Sequence, residues 1–145
     1  MVSYNDSMDT LREAAENNDT MAQWYLSERL NYDYDSMKES YYWCQRAAEG
    51  GNEDALYMMA CVLSRGDECY GVEKDIKKAA EYYIKSAEKN HSLAIWWLAE
   101  AYDGLIKDSG VVPDRRKAEY YYEMAIATGN EDMCQIAERR LAGLY

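Results

Sequence analysis

The chain has no phenylalanine, one proline, one histidine and no Cys-X-X-Cys pair. Any Ser–His or Cys–His couple would have to use His91, the lone histidine. It stands at a helix start where its repeat counterparts are Asn52 and Asn130. A cap or turn role is therefore expected, and catalysis is not. The four cysteines (Cys44, Cys61, Cys69, Cys134) have no spacing suited to zinc and read mostly as buried reduced thiols. No apolar run approaches the roughly 18 residues of a membrane span. The opening MVSYNDSMDT lacks a basic region and an apolar core, so it is not expected to be a signal peptide, and a cytoplasmic protein is expected. Residues 66–71 form a turn too short and too acidic to cradle phosphate. Nothing calls for a cofactor or a metal.

What is present favours helices. The chain has 145 residues, 48% hydrophobic and 30% charged, enough to bury a core. The apolar residues are Ala, Leu, Met, Tyr and Trp, a helix-forming mix. Fifteen tyrosines and four tryptophans suit wet boundaries as well as the interior. The formal charge is −11, of which −6 falls in residues 1–35. That field disfavours nucleic acid and anionic membranes and favours basic partners, unless it serves only solubility.

A repeat organises the chain. Ala55, Ala94 and Met133 stand 39 residues apart in matching contexts, and Ala22 lies 33 residues before Ala55. The six missing residues fall in the turn inside the first unit, where insertions are tolerated. Each unit pairs a helix A with a helix B. Helix A carries a small residue, an aromatic at +2, Leu or Met at +4 and a small residue at +5: Ala22, Trp24, Leu26, Ser27; Ala55, Tyr57, Met59, Ala60; Ala94, Trp96, Leu98, Ala99. Helix B opens at Ser36, Asp75 or Asp114 as caps and closes at Gly50-Gly51, Asn90 or Gly129. Pro113 sharpens one boundary. The N-terminus fits a lone helix B capped at Ser3, and Asn130 to Gly143 fits a lone helix A. The expectation is one domain over 1–145, with units near 1–18, 19–51, 52–90, 91–129 and 130–145. It has eight helices and no strand.

Between Ala55 and Asn90 this pattern resembles the Sel-one-like repeat, a relative of the tetratricopeptide repeat. Ala55, Tyr57, Met59, Ala60, Gly71-Val72, Asp75, Lys78-Ala79, Tyr82-Tyr83 and Ser86-Ala87-Glu88 carry the resemblance. Ala94, Trp96, Leu98, Tyr102, Gly110-Val111, Asp114, Lys117-Ala118, Tyr121-Tyr122 and Ala125 repeat it. The first unit lacks the Gly-Val step and has Cys44 where the others have Tyr. The resemblance implies an all-α, right-handed α/α solenoid of three and a half to four repeats, used for protein contacts without catalysis. In the secreted, disulfide-linked branch a cysteine would pair with Cys134. Here Ile126 holds that place, which argues against that branch.

Helix geometry supplies the candidate site. Positions +3, +6 and +10 of each helix A lie opposite its packed side, on what a solenoid makes its concave face. The candidates are Tyr25, Met58, Trp97 and Ile136 at +3, Glu28, Cys61, Glu100 and Arg139 at +6, and Tyr32 and Arg65 at +10. Large rings and Met beside charges suit a binding surface. The competing expectation is that they pack between neighbouring A helices. Trp97→Ala separates the two, weakening binding in the first case and stability in the second. The acidic pairs Glu53-Asp54 and Glu131-Asp132 open helices and complement their dipoles. The runs Tyr41-Tyr42-Trp43, Tyr82-Tyr83 and Tyr120-Tyr121-Tyr122 read as packing with one ring outward. The functional expectation is a non-enzymatic scaffold for a basic protein, in a sharper form a cytoplasmic immunity protein that covers a basic toxin's active site. The alternative is a self-associating module that dimerises through the last helix, by Met133, Ile136, Ala137, Leu141 and Leu144.

Overall fold

The computed structural model describes residues 1–145. It contains eight α-helices: α1 (Met8–Glu16), α2 (Thr20–Leu30), α3 (Met37–Glu49), α4 (Glu53–Arg65), α5 (Ile76–Glu88), α6 (Ser92–Tyr102), α7 (Arg115–Ala127) and α8 (Glu131–Leu141). The only strand-like feature is one bridge between Asp67 and Val72. Each helix packs chiefly on its neighbours in sequence, as a solenoid requires. The full B helices α3, α5 and α7 are all 13 residues long. The first unit is shortened mainly in the α2–α3 link, which holds a 3-10 turn (Tyr34–Ser36), while α4, with 13 residues, also outruns α2 and α6, with 11 each.

Recurring chemistry sets the boundaries. Each A helix opens on an extended residue whose side chain accepts from the backbone N–H three residues on: Asp19 from Ala22, Asn52 from Ala55, His91 from Ala94 and Asn130 from Met133. Before these caps the chain reverses through positive φ at Asn18, Gly51, Asn90 and Gly129, which releases the helix end. Asp75 and Asp114 cap α5 and α7 as expected.

Two expected caps are corrected. Ser3 does not open α1. Its N–H donates to the Asp6 carboxylate (2.9 Å), closing a turn, and Ser7 caps the helix by accepting from Thr10 N (3.1 Å). Ser36 makes no side-chain cap. The 3-10 turn leaves its backbone already helical (φ −98°, ψ −1°), and its hydroxyl donates to Asp33 (2.7 Å).

Small residues let the helices close together. Ala22, Ala55 and Ala94, and Leu26, Met59, Leu98 and Ala137 at +4, are essentially solvent-free. They lie in three successive cores of 6, 9 and 12 buried residues. Side chains also tie elements together. Ser40 Oγ donates to Ser27 O and Ser86 Oγ to Glu53 O, both at 2.8 Å. Gly110 (φ +78°) presses against α5, where a Cβ would stand 2.7 Å from the Ile76 carbonyl oxygen. The α6–α7 link thus rests on the preceding unit.

Candidate protein-binding surface

Depth sorts the candidate residues. At +3, Tyr25, Met58 and Trp97 are half-buried, while Ile136 is 43% exposed. Tyr25 meets Tyr4 edge to face at 5.8 Å. Trp97 stacks on Tyr83, with centroids 3.8 Å apart and planes 14° from parallel. At +6, Glu28, Cys61 and Glu100 are half-buried and Arg139 is exposed. At +10, Tyr32 is 87% exposed, and Arg65 is exposed with it. The inner +3 rings therefore wedge between elements, and the +10 residues stand free.

His91 is a structural residue. Its Nδ1 accepts from Ala94 N (3.3 Å), its ring stacks on Tyr57 at 4.5 Å, and its Nε2 lies 3.3 Å from Asp54 Oδ1. Two of the aromatic runs put one ring outward, at Tyr42 and Tyr120, while Trp43, Tyr83 and Tyr122 are buried. All four cysteines are free thiols. Burial pushes the Cys44 thiol up to about 12. Cys134 donates to Ile126 O (3.3 Å), the residue in the place of a disulfide partner.

The structure brings Glu28, Tyr32 and Met58 together at a cavity of about 120 Å³ between α2, α3, α4 and the α4–α5 turn. Trp24, Tyr41 and Tyr70 complete its aromatic lining. Tyr41 and Tyr70 face each other at 5.8 Å, and the Tyr70 hydroxyl donates to Asn31. Burial, with the Asp54 charge nearby, pushes the Glu28 carboxyl above the usual range. Glu100 is raised in the same way, mainly by burial, although Arg140 and Trp96 pull it back. Neither carboxylate forms an ion pair.

Tyr41 and Tyr70 were not among the sequence candidates. Tyr41 belongs to an aromatic run assigned to packing, and Tyr70 to a turn. The available signal was the lengthened α4–α5 turn, which carries a ring back to the preceding unit.

At the other end, Asp103 gathers hydroxyl and guanidinium donors. It accepts from Tyr122 (3.1 Å), Tyr145 (2.9 Å) and Arg115 (3.1 Å). On α8, Ala137 is buried, Met133 and Leu141 are half-buried, and Ile136 and Leu144 are exposed.

An all-helical stack of capped A–B pairs, without a metal-ligating cluster and with no helix long and apolar enough to cross a membrane, defines an α-solenoid of the tetratricopeptide-like class. The Sel1 repeat family model matches residues 20–52, 53–91, 88–104 and 92–130, and the chain belongs to that family. Sel1 repeats generally mediate protein–protein interaction, and proteins built from them are typically non-catalytic scaffolds. The chain is similar to a Sel1 repeat protein from Oxalobacter formigenes, with 31% identity and a TM-score of 0.78 over 90% of this chain and 96% of that one. It is also similar to c5321, a protective antigen of uropathogenic Escherichia coli with an SLR fold. There the identity is 26% and the TM-score 0.68, over 87% of this chain and 27% of the antigen. Helicobacter pylori cysteine rich protein B shares the fold at 22% identity and a TM-score of 0.62, over 92% of this chain and 99% of that one. Among curated proteins none matches significantly.

Proposed function

We propose that the chain, as one domain, is a non-enzymatic scaffold that holds a partner protein against the side formed by its A helices, and that the partner presents a basic surface there. One observation carries this reading. Glu28 and Glu100 hold the same repeat position, and each is a half-buried carboxylate without an ion pair. Partial burial of such a charge opposes folding, so an incoming cation would relieve it. The overall charge of −11 would speed encounter with a basic partner and make it salt-sensitive. In its sharper form the partner is a toxin, and the chain is the cytoplasmic immunity protein that covers the toxin's active site.

The test is capture from the native cell by the wild-type chain and by the Glu28→Gln/Glu100→Gln double variant. The expected result is a basic protein retained by the first and depleted on the second, with association that slows as salt rises. Identical captures, or an association rate indifferent to salt, would sink the reading.

A second reading is self-association through α8, favoured by the exposure of Ile136 (43%) and Leu144 (58%) on the last helix. Sedimentation at micromolar concentration decides it, because a pure monomer removes it.

A further inference from the structure

We infer that the cavity between α2, α3 and α4 is a binding pocket for a single arginine side chain of the partner protein. The inference rests on the scaffold reading above and names the feature of the partner that would be recognised.

The lining has the chemistry of a cation site. Trp24, Tyr32, Tyr41 and Tyr70 supply rings, Glu28 is the one carboxylate, and no lysine, arginine or histidine lines the cavity. A cation placed among ring faces is attracted by their quadrupoles, most strongly where water is displaced. Several donors are already committed inside the protein: Tyr70 to Asn31, Ser40 to Ser27 O and Cys44 to Ala55 O. The Glu28 carboxylate has no donor of its own. Burial keeps the Tyr41 and Tyr70 phenols and the Cys44 thiol protonated at neutral pH, so the negative charge of the lining lies on Glu28. An anion finds no countercharge here, and an apolar group would strand the carboxylate. The cavity, about 120 Å³, suits one side-chain head group and not a helix.

The repeat itself identifies the cation. Glu100 is the third-unit counterpart of Glu28. There, Arg140 of the next A helix lies close enough to lower the Glu100 carboxyl. Its guanidinium stands over the Tyr145 ring at 4.6 Å. Arg140 is seven residues past Met133, and the matching residue seven past Ala55 is Val62, which lines the cavity beside Glu28. In the third unit the chain places a guanidinium near the carboxylate, short of an ion pair, with an aromatic ring beside it. In the first unit it keeps the carboxylate and the rings, and puts a short aliphatic side chain where the arginine would start.

The isotope-labelled full chain can be titrated with N-acetyl-arginine amide and with its neutral isostere, N-acetyl-citrulline amide, following backbone amide shifts. The arginine probe should give saturable shifts confined to the cavity lining, and citrulline should give none. Losing the charge-assisted contact in Glu28→Gln should weaken the probe about tenfold. Tyr32→Ala, at a site exposed enough to leave folding untouched, should weaken it several-fold. Equal binding of citrulline, shifts centred elsewhere, or an unchanged affinity in both variants would overturn the pocket. If a basic partner is captured equally by the wild type and by Glu28→Gln, the pocket fails and the scaffold reading stands. If the arginine probe binds at the cavity of a chain that captures no basic protein, the pocket stands and the scaffold reading fails.

Discussion

The rings of Trp97 and Tyr83 lie 3.8 Å apart, nearly parallel, joining the first helix of the third unit to the second helix of the unit before it. Tyr83 is 3% exposed, so one face of Trp97 lies against the interior, and the residue as a whole is half-buried. Sequence geometry alone put Trp97 opposite the packed side. The stack shows that an outward position in one unit is covered by helix B of its neighbour. Trp97→Ala should therefore lower stability by about 2 kcal/mol, less than a fully buried ring. Trp97→Phe should recover most of that. Denaturant midpoints measure both, and an unchanged midpoint in the alanine variant would return Trp97 wholly to the surface.

The helix caps predict a ranked series. Asn52 is 6% exposed and accepts from Ala55 N at 2.8 Å. Asn130 is exposed at the last repeat. Asn52→Ala should cost about 1 to 2 kcal/mol, Asn130→Ala about half that, and His91→Asn should keep the cap that His91→Ala loses. Thermal unfolding of the four variants checks the order.

Acid titration should distinguish two kinds of glutamate. Glu28 and Glu100 are raised in the folded state. Their contribution is fully present below the unfolded value, about 4.3, and is lost as pH rises through the higher folded value. Glu28→Gln and Glu100→Gln should each stabilise the free protein at neutral pH, and the gain should vanish below about pH 4. Glu39 is the reverse. The Arg12 guanidinium holds its carboxyl low, so its contribution is present above the unfolded value and lost as pH falls through the depressed one. Unfolding of Glu39→Gln should therefore differ from wild type at neutral pH and converge with it in acid.

Thiol chemistry gives a check on depth. Cys44 is 2% exposed, and its thiol is pushed up to about 12. The other three cysteines are half-buried. Alkylation at mildly alkaline pH, followed by mass spectrometry, should modify Cys44 last and only as the chain unfolds. Early labelling of Cys44 would mean that the cavity beside it opens far more than the folded structure does.

Local chemistry was legible in the sequence, and contacts between units were not. The 39-residue spacing of Ala55, Ala94 and Met133 located the A helices, and at the first two positions a small residue allows close backbone approach. Asn52, His91 and Asn130 announced their caps, since one side chain satisfies a donor three residues on. Ser3 and Ser36 misled because alignment cannot see that a neighbouring aspartate closes a turn around each. The cavity was half visible. Glu28 and Met58 follow from helical spacing on α2 and α4, whereas Tyr32, expected on the same helix, lies in the turn past Leu30, where α2 ends. Tyr70 arrives from a turn 39 residues beyond Asn31, to which its hydroxyl donates. Periodicity carries no information about where a loop ring lands.

The C-terminal network sets the final prediction. Tyr145 reaches back to Asp103, whose carboxylate also receives Tyr122 and Arg115. Arg115 further donates to the Arg140 carbonyl (2.9 Å). The side chain of Asp103 is 5% exposed, so it depends on these donors to compensate its lost hydration. Removing Tyr145 takes one donor from Asp103 and the ring from beneath Arg140, and it leaves the core residue Ala137 in place. Deletion of Tyr145 should therefore lower stability by about 1 kcal/mol and speed amide exchange in α8, with little change in α2 to α5 because solenoid units couple mainly to their neighbours. Asp103→Ala removes the shared acceptor and should cost more, about 2 to 3 kcal/mol, because it leaves the buried Tyr122 hydroxyl without its acceptor and takes one of several from Arg115. Hydrogen exchange resolved by helix measures the first effect and denaturant unfolding the second. Equal acceleration across all eight helices would show that the C-terminal end is coupled to the whole stack and not to the last unit alone.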